Sequence, residues 1–323
     1  MSGSPRERLA ALARQSTTEL PLAEGALLIA AEEYQDLDVV RYLRVLDALA
    51  DDARAAIGPG EDPPRRAAAL CDFLYRERGF RGNREHYSDP RNSFLNEVLD
   101  RRLGIPISLA VVYLEVGWRL RLPIFGVGMP AHFLAGCETA GEPLFVDPFH
   151  GTVLTEDGCE RLFRQTIGGA ATFRRAYLAP TPARDILVRM LRNLKGIFLQ
   201  QEDMDRAAAA IERILLLAPD LPEEVRDLGL VRFHQGKPVE ARDLLSRYLR
   251  SVPKDAADRT VIEGCLVRIR AFLGSLNQPA TRGARASRRP RPGAAGHRRR
   301  DRPPPCAALG PSPRCASALP SSQ

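Results

Sequence analysis

The second half of the chain repeats itself at a spacing of 34 residues, and nothing else in the sequence restricts the fold as much. Ala207 pairs with Ala241, Pro219 with Pro253, Leu191 with Val225, Leu194 with Leu228, and Ile211 with Leu245. A fixed period of this length marks a unit that cannot bury its apolar face alone and therefore stacks on copies of itself. Small residues fall where paired helices touch, and each proline ends the second helix of a pair. Two degenerate copies are expected, 188–221 and 222–255, closed by a capping helix over roughly 259–276. The copies disagree at two of the positions that a repeat of this kind constrains. Gly229 meets the requirement for a small residue, but Lys195 stands there in the first copy. Phe198 meets the requirement for a large aromatic, but Arg232 stands there in the second, with Phe233 displaced by one.

The first half reads differently. After an extension over 1–20, residues 22–57 give two helices, with Asp36 and Asp38 as N-cap candidates for the second and Ile57-Gly58-Pro59-Gly60 to stop it. A third helix is expected over Pro64 to Arg78, with Gly79 at its C′ position. A polar loop of turn residues, 82–91, comes next. Asn92 or Ser93 then caps the helix 94–103, which Gly104 closes, and Pro106 opens the next helix, over 107–120. Strand-like runs follow at 124–129, 132–137 and 143–149. Helices come first and short strands after, which is an α+β order and not alternating βαβ.

Charge excludes a simple nucleic-acid reading. The net charge of +7 is concentrated in residues 281–323, which hold ten Arg and one Asp, so the remainder carries a slight negative excess. That segment has no Val, Ile, Phe, Tyr, Trp, Met or Lys, and it cannot bury enough apolar area to offset chain entropy. Residues 277–323 are accordingly expected to be a disordered Arg/Pro-rich tail. The opening residues lack the apolar segment of a signal peptide, and the run Ile105–Leu114 is too short to span a bilayer. The six cysteines have no CxxC spacing, so neither a zinc knuckle nor a disulfide framework is expected. Cys71, Cys159 and Cys265 are expected to be buried free thiols in a reduced, cytoplasmic protein, with no membrane partner.

The order of elements in 79–159 carries the chemistry. A helix start is followed by a strand bearing His132 and then by a strand bearing Asp147. Thiol enzymes of the papain and transglutaminase kind need this order. A helix N-terminus favours the thiolate, a neighbouring His pairs with it, and a carboxylate orients the imidazole. The segments NSFLNEVLDRRLGIPISLAVVY, GVGMPAHFL and FVDPFHG resemble the SirB family, whose core is similar to transglutaminases. The resemblance runs upstream through ALLIAAEEYQDLDVVRYLRVLDALA and downstream into the repeats, which have the tetratricopeptide spacing, so it covers roughly 20–276.

The resemblance implies a transglutaminase-like domain over 21–180 (helical part 21–78, core 79–180) and then an all-α tetratricopeptide-like domain over 185–276. It matches His132 to the transglutaminase histidine and Asp147 to the orienting aspartate. The nucleophile position of the G-x-C-x-x-x-A pattern falls on Pro106, which has no nucleophile, a departure shared by the family. Ser108 lies two positions on, about 200° around the helix, and is a weak substitute. Cys137 stands five residues after His132 and would face away from it in a regular strand, and Cys159 follows Asp147 only after a long loop. Tyr87, Asp89 and Asn92 are the expected cleft-facing members of the 81–92 loop, with local turn and cap roles for Asp89 and Asn92 as the alternative. Tyr113 and Trp118 read as core. His86 and His150 show no HxH or HExxH spacing, so no metal and no cofactor is expected. The expected function is a transglutaminase-like module without its cysteine, joined to repeats that bind a protein or peptide. The alternative is an amide-bond hydrolase or transferase that uses His132 and Asp147.

Overall fold

The computed structural model describes residues 3–14, 20–59, 62–139, 141–168 and 171–276. The extension is helical over α1 (Pro5–Ala13), and α2 (Leu22–Ala31), α3 (Val39–Ile57) and α4 (Pro63–Asp72) follow. Asp38 caps α3 through Arg41 N, as expected. Asp62 caps α4 through Arg65 N, so this helix starts at Pro63 and not at Pro64. Its last turn, Phe73–Glu77, widens to a π-helix before Gly79. Pro21 gives α2 no side-chain cap. Instead Glu115 reaches in from a later helix, and its Oε1 accepts from Ala23 N at 2.7 Å.

Two short parallel strands, β1 (Arg81–Gly82) and β2 (Leu103–Gly104), bracket α5 (Leu95–Arg101), after which come α6 (Pro106–Arg119) and a five-stranded antiparallel sheet. The sheet holds β3 (Ile124–Val127), β4 (Leu134–Cys137), β5 (Leu144–Asp147), β6 (Thr152–Leu154) and, after α7 (Glu156–Ile167), β7 (Pro180–Thr181). Its order is β6-β5-β4-β3-β7. Helix α6 packs on β3 and β4. The helices-then-sheet order expected of the first half is what the fold contains.

Three local expectations are corrected. Helix α5 begins at Leu95 with no side-chain cap, because Asn92 and Ser93 belong to a separate 3-10 turn. It ends at Arg102 in the left-handed region (φ 56°), since Gly104 is already paired in β2. Trp118 is 38% exposed and not core, with its indole N–H donating to Ile124 O at 2.8 Å. Tyr113 is buried, as expected.

The repeats form α8 (Ala183–Gln200), α9 (Met204–Leu217), α10 (Pro222–His234) and α11 (Pro238–Ser251), and α12 (Arg259–Leu276) packs on α11. Gly229 has to be small. A Cβ there would stand 2.8 Å from Leu245 Cδ2 on the paired helix α11. Lys195, in the equivalent place, keeps its charge by pairing with Glu224 at 2.7 Å and Asp227 at 2.9 Å from the next copy. Arg232 likewise pairs with Glu212 and Glu240, while Phe233 takes the buried place.

One apolar core continues from α1 through α6 into α8 and α9. Gly25 on α2 lies so close to Leu187 on α8 that a Cβ would come within 2.4 Å of Leu187 Cδ1. The buried Arg213 of α9 donates to Ile29 O on α2 at 2.9 Å. Among the described residues no helix is long and apolar enough to cross a membrane. The tail expected to be disordered, 277–323, lies outside the described residues, as do Cys306 and Cys315 within it.

Candidate functional site

Asp147 closes β5, and its neighbours along the chain fold back over it. Thr152 pairs with it in β6, and the turn between directs the backbone N–H groups of Phe149 (2.9 Å) and His150 (3.3 Å) onto Oδ1. His132 sits two residues before β4, not on a strand. The tight turn from Met129, closed by His132 N donating to Met129 O, puts Ala131 at φ 59° and holds the ring outside the ladder. His132 and Cys137 therefore do not share one regular strand, and strand alternation does not set which way Cys137 faces relative to His132. Cys137 is nevertheless buried, at the far end of β4.

His132 Nε2 lies 3.0 Å from Asp147 Oδ1, and both side chains are buried. The pairing engages Nε2 and leaves Nδ1 as the nitrogen not held by Asp147. His150 joins them, with Nδ1 2.6 Å from Asp147 Oδ2 and the imidazole 39% exposed. Burial alone would raise the Asp147 carboxyl. Hydrogen bonds and charge from His132 and His150 outweigh it and hold the group well below the usual carboxylate range. An aromatic run extends from this cluster. The rings of His132 and His150 lie 6.3 Å apart and nearly parallel, His150 meets Phe149 edge-on at 5.2 Å, and Phe149 meets Tyr87 at 5.9 Å. Phe149 in turn crosses β1, where a Cβ on Gly82 would fall 2.4 Å from its ring.

Of the expected cleft residues, only Tyr87 comes to this cluster. Asn92 is wholly buried and organises its own loop. Its amide nitrogen donates to His86 O at 2.7 Å, and its Oδ1 accepts from Asn83 at 3.0 Å. Asp89 accepts from Arg91 N at 3.0 Å and pairs with Arg91 and Arg101, the local turn role. Ser108 is buried at the start of α6, where it accepts from Ile105 N at 3.1 Å and donates to Asn92 O at 2.5 Å. Its hydroxyl is committed to fastening the helix start.

Pro106 is the first residue of α6, a position where the missing N–H costs nothing. The described cysteines, Cys71, Cys137, Cys159 and Cys265, are all buried and free. Burial pushes the thiols of Cys71 and Cys159 up to about 12 and that of Cys137 up to about 11, the opposite of an activated nucleophile. Sequence reasoning missed His150 as a member of the cluster. The available signal was the D-x-x-H spacing at a strand end, which turns the two side chains toward each other.

Fold and site together define a transglutaminase-like core, in which His132 and Asp147 are paired, followed by helical repeats. The family model for the Transglutaminase-like superfamily matches residues 40–192, and that for the Tetratricopeptide repeat matches 194–266. Among similar proteins, a UPF0162 protein of Xylella fastidiosa (strain 9a5c) is 41% identical over 246 residues, 75% of this chain and 88% of the relative. A UPF0162 protein of Vibrio cholerae is 30% identical over 66% of this chain and 79% of its own length. The UPF0162 protein YchA of Escherichia coli (strain K12) is 28% identical over 73% and 88%. The chain belongs to the UPF0162 family. No solved structure matches it significantly.

Proposed function

We propose that the protein is a transglutaminase-like module of the SirB type that lacks the catalytic cysteine and acts as a protein-interaction or regulatory scaffold. In this reading it works in the bacterial cytoplasm, with neither specific nucleic acid nor membrane as partner. The observation that carries the reading is Pro106 at the first position of α6, where a thiol enzyme would have its nucleophile. Binding then rests with the repeat helices of 185–276, whose stacked first helices provide a surface for an extended or helical segment of another protein.

The test is photo-crosslinking from the intact chain. A crosslinking side chain at Glu223, exposed on α10, is expected to capture one recurring polypeptide. The same group at Val153, exposed on β6, is expected not to. The capture should survive His132→Ala. Equal capture from both positions, or none from Glu223, would refute the scaffold reading.

A second reading is favoured by the intact His132–Asp147 pair, which is a costly thing to keep buried without use. In it the pair serves an amide-bond hydrolase or transferase that needs no cysteine, with His132 as general base. Amide turnover abolished by His132→Ala would support it, and turnover unaffected by that change would remove it.

A further inference from the structure

The cluster at the end of β5 is a set of metal donors as well as a hydrogen-bonded triad. His132 arrives from the turn before β4, and Asp147 and His150 from the end of β5 and the turn beyond it. One donor atom from each lies within 4.8 Å of the other two. Donors sharing a zinc-class ion at bond lengths near 2.0–2.2 Å stand about 3.3 Å apart. His132 Nε2 stands 3.0 Å from Asp147 Oδ1 and His150 Nδ1 2.6 Å from Asp147 Oδ2, both a little closer than that, so a bound ion would need only a small spreading of the three groups.

Two further observations point the same way. The Asp147 carboxylate is buried, and among the described residues its ion pairs come from histidines alone, with no Lys or Arg to neutralise it. A divalent ion held between these groups would give the buried anion a positive partner besides the two imidazoles. The carboxylate's orientation is set by the main chain as well as by the imidazoles. The N–H groups of Phe149 and His150 hold Oδ1, as second-shell donors do in metal sites, while Oδ2 meets only His150 Nδ1 and would turn from that contact to the ion.

We infer that His132, Asp147 and His150 bind one divalent transition-metal ion of the zinc class. Two imidazoles and one carboxylate favour zinc, cobalt, nickel or ferrous iron over magnesium and calcium, which take oxygen donors. Three protein ligands leave a coordination position open, and the exposed side of His150 gives water access to it. The inference goes beyond the scaffold reading and does not depend on it, since partner capture by the repeats is measured without any metal.

The experiment uses the full chain, stripped with a chelator and dialysed, then titrated with Zn2+ by calorimetry and with Co2+ by visible absorption. One ion per chain is expected, with a d–d band for the cobalt form. His150→Ala and Asp147→Asn should each weaken binding by at least about tenfold, and His86→Ala should leave it unchanged. His150 is half exposed, so its variant keeps the native circular dichroism and decides the matter even if Asp147→Asn fails to fold. Absence of saturable 1:1 binding overturns the inference. Binding that is equally tight in the wild type and in His150→Ala overturns it as well, since the ion would then sit elsewhere.

Discussion

Arg189, on α8, donates its Nη2 to the main-chain carbonyl of His132 at 2.7 Å and to that of Met129 at 3.0 Å. The guanidinium also lies over the Phe133 ring, 5.3 Å from its centre. The turn that carries His132 contains Ala131 in the left-handed region, a conformation that persists only when its surroundings enforce it. Helix α8 therefore holds the turn that carries His132 in place.

Arg189→Ala removes two charge-assisted hydrogen bonds and is expected to destabilise the protein by about 2 kcal/mol. Amide exchange over 129–133 should accelerate while α12 stays unchanged, and Arg189→Lys should restore part of the protection. Unchanged exchange in that turn would contradict the holding role.

Gly82→Ala tests the close approach of Phe149 to β1. The new methyl cannot fit without moving the Phe149 ring, and the ring is packed between Tyr87 and His150. The expected loss is about 1–3 kcal/mol, with perturbed NMR shifts for the His150 and Tyr87 rings. A variant with the wild-type melting temperature and unmoved ring signals would rule this packing out.

The buried cysteines make a chemical prediction. At pH 8 the native chain should alkylate slowly at Cys71, Cys137, Cys159 and Cys265, and quickly once denatured, as read by peptide mass spectrometry. Fast stoichiometric labelling of any of the four in the native protein would reopen the question of a thiol nucleophile.

Acid should weaken the junction of α11 and α12. Burial raises the Asp258 carboxyl, but hydrogen bonds from Tyr248 and Arg226 outweigh it and leave the group below its ordinary value. A carboxyl depressed in the folded state contributes stability above its unfolded pKa, about 3.9, and that contribution is lost as pH falls through the folded value. The difference in urea midpoint between wild type and Asp258→Asn should therefore be largest near pH 6 and shrink below pH 4. A difference that stays constant across that window would show that the charge does not matter there.

The repeats were legible because their packing leaves a residue-type signature. Gly229 is small because Leu245 needs the room, and the alanines and prolines recur for similar reasons. Even the exceptions have a local logic visible only in three dimensions, since Lys195 is tolerated by Glu224 and Asp227 of the next copy. His132 and Asp147 were legible as types in a known order. The strand expected for His132 was not correct, because alternation in HFLAGC does not reveal that Ala131 turns the chain first. Asn92 and Ser108 looked like cleft residues, and the structure spends both on fastening the loop to α6. Arg189 gave no signal at all, since its partners are main-chain oxygens some sixty residues away.

The core shared by α2, α8 and α9 has a consequence for how such a protein is inherited and cut. With Leu187 pressed against Gly25 and Arg213 reaching Ile29, a breakpoint near residue 183 would leave two fragments, each with an open apolar face. Each unit of a repeat array ordinarily contacts only its neighbours in the array, but this one is joined to the preceding helices by a common interior. Recombination or engineering that treats 185–276 as a transferable part should yield insoluble halves, and exchange should succeed only at the outer end, beyond α10.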